Sequence, residues 1–260
     1  MSDAAEFQIK LEEGFPHLSE APIAEAVIQI GAKARTDWTE SVIREKLKAN
    51  LPDYPQQSSH REITTELKLQ DGQAPTQETK DMGWHGVRLR SEDGKHNVHS
   101  TRDGFLFSRL APYPRWEEFS SEAFRLWEIH QRLAEPSDVL RLGLRFVNKI
   151  VVPVEGLVLR KVLPGSPEAP RGLNIPFSNF FHHDTLAVPG DKYAINLIRT
   201  IQRAPEPSPN VSLILDIDVF TTHAFEVESA EIQKRFTEMR WLKNKTFFGS
   251  VAQQILEQMK

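Results

Sequence analysis

Residues 139–152 read VLRLGLRFVNKIVV. In an extended chain the alternation sends Leu140, Leu142, Leu144, Phe146 and Ile150 to one side and Arg141, Arg145 and Lys149 to the other. A second stretch, residues 211–220 (VSLILDIDVF), puts Val211, Leu213, Leu215, Ile217 and Val219 on one face and Ser212, Ile214, Asp216, Asp218 and Phe220 on the other. One strand offers cations, the other carboxylates. As antiparallel neighbours with their apolar faces on one core, the strands would match Arg141, Arg145 and Lys149 with Asp216 and Asp218. Each such pair contributes from a few tenths to about 1 kcal/mol. The charges are therefore expected to hold the scaffold.

Upstream, residues 1–22 read as a mixed polar arm lying on the body, followed by a strand at 24–34. Asp37 with Glu40 resembles a helix cap, and Val42, Leu47 and Leu51 then follow at helical spacing up to Pro52. A strand is predicted over 62–70, a loop over 71–83 and a three-stranded meander over 84–110. Trp116, Phe119, Ala123, Leu126, Trp127, His130 and Leu133 make the clearest amphipathic helical stripe in the chain, and it stops at Pro136. Downstream, proline density over 153–189 forbids regular structure, and loops of this kind often carry function. A hairpin is predicted from 180–187 back along 192–202, a helix over 229–240, and a last helix opened by a Ser250–Gln253 capping box.

These elements define an α+β fold. Antiparallel sheet is expected with helices 37–51, 115–134 and 229–259 packed on one side, in a single domain of 1–260 that divides into halves 22–135 and 136–260. The chain has 260 residues, 39% hydrophobic and 26% charged, which suffices for a sizeable core. A formal net charge of −4 argues against a general polyanion binder. The absence of cysteine excludes disulfides and thiolate chemistry, and no apolar run approaches a membrane span. With an acidic N-terminus lacking an apolar core, the chain reads as cytoplasmic, with no membrane partner and no cofactor.

Four stretches carry a family resemblance: APIAEAVIQI (21–30), RLGLRFVNKI (141–150), LILDIDVF (213–220) and EMRWLKNKTFF (238–248). Their order resembles that of a sporadically distributed family of uncharacterised bacterial proteins of about this length. The resemblance implies a compact α+β fold without an agreed activity, and a patchy occurrence that suits accessory genes in mobile or phage-defence neighbourhoods.

Three sets of residues invite chemistry. On a strand, His182 and Asp184 share a face and form a metal-ligating type of pair, to be completed by Asp216, Asp218 or His223. Asp216 and Asp218, two apart on a strand, could instead serve as paired carboxylates for acid–base work. Arg88, Arg90, Arg102 and Arg109, with Trp84 and Phe105 for stacking, mix cations and aromatics as single-strand nucleic-acid binders do. No phosphate loop, nucleophile elbow or HExxH helix occurs.

Three readings of function follow. The first is a non-enzymatic interaction or accessory protein that holds a protein partner with the 153–189 loop and the polar sheet face. The second is a binder of a small anionic ligand or nucleic acid through Arg88, Arg90, Arg141 and Arg145. The third is a metal-assisted hydrolase built on His182, Asp184, Asp216 and Asp218. A homo-oligomer is compatible with all three.

Overall fold

The computed structural model describes residues 7–35, 39–68, 76–170, 172–173, 175, 177–190, 192–203 and 208–260. The elements run β1 (Ile23–Gly31), α1 (Glu40–Asn50), β2 (Gln56–Lys68), β3 (Thr76–Arg90), β4 (His96–Thr101), β5 (Gly104–Leu110), α2 (Trp116–Ala134), β6 (Asp138–Val139) and β7 (Arg141–Pro153). Then come β8 (Phe181–Ala187), β9 (Tyr193–Gln202), β10 (Asn210–Thr221), β11 (Phe225–Glu226), α3 (Ser229–Ser250) and α4 (Gln253–Gln258). Nine strands form one antiparallel sheet in the order β2-β3-β4-β5-β1-β7-β10-β9-β8, and β6 and β11 make a small separate pair. The fold is α+β. The strand read first, β7, sits near the sheet's centre between β1 and β10.

Register explains why one face is dry. Across β1, β7 and β10, Ile28 lies opposite Leu144, which lies opposite Val219, while Ala26, Phe146 and Ile217 form the next row. All six are buried, and residues directly opposite in an antiparallel pair share a face. The helices cover this face. Phe119 of α2 stacks on Phe107 at 5.4 Å between ring centroids, Ile43 and Leu47 of α1 are buried, and α3 lays Ile232, Phe236, Met239 and Leu242 inward. Leu140, read as inward, precedes β7 and is exposed.

Several boundaries differ from the sequence reading. The helix read over 37–51 begins at Glu40 with Thr39 as its cap, and Asp37 lies outside the described residues. The Ser250–Gln253 capping box does not form, because α3 continues unbroken to Ser250 and α4 starts after Ala252 with no side-chain cap. Part of the segment read as a loop over 71–83 is strand, since β3 starts at Thr76 and pairs with β2 from Lys68↔Thr76 onward. β4 pairs only with Gly86–Arg90, so β2 and β3 project past the sheet as a two-stranded ribbon. Arg61–Thr64 and Thr79–Met82 of that ribbon are exposed whichever face they occupy, so this part of its sequence needs no apolar alternation.

The amino-terminal arm lies on α3, as expected. Phe15 stacks on Phe248 at 5.4 Å, Phe7 meets Trp241 edge-on at 6.0 Å, and Lys245 donates to Glu13 at 2.5 Å. Among the described residues, no helix is long and apolar enough to cross a membrane.

Candidate functional site: the helix-free sheet face

Among the described residues no helix packs on the opposite face of the sheet, and the residues of that face follow from the pairing register. One row across the strands runs Gln56, Arg90, Asn97, Ser108, Val27, Arg145, Asp218, Asn196, Thr185. The next runs Ser58, Arg88, His99, Leu106, Gln29, Gly143, Phe220, Ala194, Ala187. A third places Glu25, Val147, Asp216, Ile198 and His183 in line. Arg88, Arg90, Arg141 and Arg145 thus share one face, as the anionic-ligand reading requires. The β3 and β7 pairs are nevertheless four interstrand spacings apart, about 19 Å.

The central ionic residues grip each other. Arg145 Nε donates to Asp216 Oδ1 at 2.8 Å and Nη2 to Oδ2 at 2.5 Å, a two-pronged contact. It is diagonal, since Asp216 lies opposite Val147 and Arg145 lies opposite Asp218. Arg141 lies flat along β7, donating Nη1 to Gln29 Oε1 at 2.6 Å and Nη2 to Asp218 Oδ2 at 3.0 Å, with its guanidinium 4.9 Å from the Phe220 ring. Gly143 makes this path available: a Cβ there would come within 2.6 Å of Arg141 Nη1. Burial raises the pKa of Asp218, against the pull of Arg141 and Arg145, and the hydrogen bond to Asp216 raises that of Arg145. Lys149, expected to join this set, lies opposite Ile214 and has no ion pair among the described residues.

Near the β2–β3 side, the His60 ring meets His99 and His85 at 5.8 and 5.5 Å. Burial, with Arg88 and His60 adding repulsion, pushes His99 down to about 4. The pKa of His60 is lowered by burial, Arg88 and His85. Arg90 Nε donates to the Gly94 carbonyl at 2.9 Å. The nucleic-acid set does not assemble. Arg109 pairs in register with His96 and Ala26, on the helix-covered face, and Phe105 is buried against Trp127. Arg102 lies over Trp84 at 5.6 Å.

The metal quartet is divided by the sheet itself. His182 and Asp184 lie opposite Arg199 and Leu197, on the helix side, whereas Asp216 lies opposite Ile198 on the other side. Asp184 accepts from Arg199 and lies 3.3 Å from His182 Nε2. Among the described residues, no three His, Asp or Glu side chains are grouped to hold a metal ion.

Arg199, Gln29 and Gly143 were missed because their roles depend on which strand lies beside which. A cavity of about 310 Å³ is lined by Leu157, Leu159, Phe177, Ile201 and Val211. Its two arginines are engaged: Arg160 pairs with Glu168, and Arg203 donates to the Ser178 carbonyl at 2.9 Å. Comparison of the chain with known protein families, with curated proteins and with solved structures finds no match in any of the three, so the family resemblance rests on its four stretches alone.

Proposed function

We propose that this chain is a non-catalytic interaction protein of the bacterial cytoplasm that seats a protein partner on the helix-free face of its sheet. The observation that carries this reading is the mutual engagement of the face's ionic residues. Asp216 and Asp218 are taken up by Arg145 and Arg141, which leaves no free carboxylate pair for acid–base work at the centre among the described residues. Between the charges lie half-buried Val27, Leu106, Val147, Ile198, Ile214 and Phe220, with Val151 58% and Phe181 70% exposed at one side. Aliphatic and aromatic surface interleaved with satisfied polar groups is the composition of a protein–protein interface. Among the described residues, Arg88, Arg90, Lys149 and Glu25 remain without a carboxylate–cation contact on this face, and they favour a partner surface of mildly acidic character.

Site-specific photo-crosslinking in cells tests this. A photoreactive residue at Ile198 or Val147 should capture one defined protein, while the same residue at exposed Glu128 on α2 should not. Capture that vanishes on nuclease treatment, or tight oligonucleotide binding with a steep salt dependence, would instead favour the anionic-ligand reading.

A further inference from the structure

We infer that the outer edge of β8 is a self-association edge, and that a second copy of this chain adds its own β8 antiparallel across a twofold axis. This is independent of the partner proposed for the sheet face. The Val188 N–H donates to the Tyr193 carbonyl at 3.0 Å, continuing the β8–β9 ladder. Hydrogen-bonded pairs alternate in an antiparallel ladder, so Leu186, Asp184 and His182 spend their backbone groups on β9. Phe181, His183, Thr185 and Ala187 direct theirs outward. All four outward residues are exposed, and no other described strand pairs with that edge.

Soluble proteins blunt such edges with bulges, lysines or prolines. The sheet's other edge, β2, follows that rule: its register with β3 shifts at His60/Arg61 and again at Glu62/Ile63. β8 carries none of these devices. Its sequence is FHHDTLA and its register with β9 is unbroken. An edge without bulge, lysine or proline and with an exposed phenyl group at one end is suited to pairing.

The side chains choose both partner and register. Every twofold centred on a residue of β8 joins outward residues to outward residues, and the three at the middle of the strand centre on His183, Asp184 or Thr185. Centring on Asp184 would set two carboxylates face to face, and centring on Thr185 would leave Asp184 opposite Leu186. Centring on His183 places each His182 directly opposite the other copy's Asp184, twice over, in the closer type of antiparallel pair. His182 Nδ1 is buried with no hydrogen-bond partner among the described residues, and His182 Nε2 is 3.3 Å from its own Asp184. Phe181 then covers Thr185 of the second copy. Only a strand of complementary sequence fits this pattern, and β8 read backwards supplies it.

The chain has no cysteine, so single cysteines report register without background. In the hydrogen-bonded central pair the two residue-183 Cα atoms would stand about 5.5 Å apart, within disulfide range. His183→Cys should therefore oxidise to a covalent dimer, and Asp184→Cys and Thr185→Cys should not. Light scattering of the unmodified chain at about 100 μM should give twice 29.7 kDa. His183→Pro removes an outward N–H while sparing the β9 ladder, so it should give a monomer that melts as the parent does. A monomer throughout the concentration range, a dimer indifferent to His183→Pro, or crosslinking at residue 184 or 185 instead of 183 would each overturn the inference.

Discussion

The Arg145–Asp216 contact predicts an asymmetry that a simple count of ion pairs does not. The Asp216 side chain is 8% exposed and that of Arg145 is 51% exposed, so the two ends of one salt bridge live in different solvents. Arg145→Leu strands a buried carboxylate, and breaking a pair in that way costs about 3 kcal/mol, at the low end of the buried-pair range because part of the guanidinium is already wet. Asp216→Leu strands only a cation that water reaches, and its loss should be about 1 kcal/mol. The double replacement sets two leucine side chains among Val27, Val147 and Ile198, and should return to within about 1 kcal/mol of the parent. Urea unfolding at neutral pH measures all four proteins, and the cycle should give a coupling of about 3 kcal/mol or more. If Arg145→Leu proved no costlier than Asp216→Leu, or if the two losses simply added, the pair would not be a buried clasp.

Gly143→Ala should cost less than about 1 kcal/mol, because its Cβ meets only the movable side-chain ends of Arg141 and Gln29. Gly86→Ala would drive a Cβ to 2.3 Å from the Ser100 carbonyl and should cost about 3 kcal/mol; thermal melts separate the two. Lys243, its ammonium 4.2 Å from the Phe146 ring, is pushed down to about 7 by burial and by Arg240. The unfolded chain then holds a proton that the folded one lacks between about pH 7 and pH 10, so stability rises through that window, and Lys243→Met should flatten the rise and add about 1–3 kcal/mol at pH 6. Burial holds His130 down to about 3, beside the Ser100 hydroxyl at 2.9 Å. Its folded pKa is lowered, so stability is present above the unfolded value of about 6.5 and lost as pH falls below it. His130→Gln should weaken that acid dependence in calorimetric scans from pH 7 to pH 4, whatever its effect on the absolute melting point.

Where one face of a strand is dry and the other wet, sequence alternation carries structure, and this chain divides along that line. The rows Leu142, Leu144, Phe146 and Val211, Leu213, Leu215, Ile217, Val219 are buried as their period of two requires, and the Arg141/Arg145 versus Asp216/Asp218 match follows from it. Alternation alone cannot give the diagonal offset, because that depends on which residue faces which. Nor can it give the path of Arg141 over Gly143, since a glycine's empty space matters only once a neighbour lies across it. The same blindness assigned His182 and Asp184 to one site with Asp216 and Asp218. Each pair was rightly placed on a common strand face, but whether two strands turn those faces the same way is fixed by the intervening β9.

The start of β3, read as loop, lies on water where its exposure is described, at Thr79–Met82, whereas β8, read correctly as one side of a hairpin, lies at an edge. Ile63, Thr64, Thr79 and Met82 of the β2–β3 ribbon are exposed, as are Phe181, Thr185 and Leu186 of β8. A two-stranded ribbon has little core of its own to hold it, and an unprotected edge strand has backbone groups still to satisfy. Water on the exposed part of the ribbon is the physical reason it lacks a readable period, and on our proposal the open backbone edge of β8 suits contact with another chain. In the core, the sequence is written against its own neighbours. At β8, on our proposal, it is written against a second copy, whose β8 has the complementary order of His182 and Asp184.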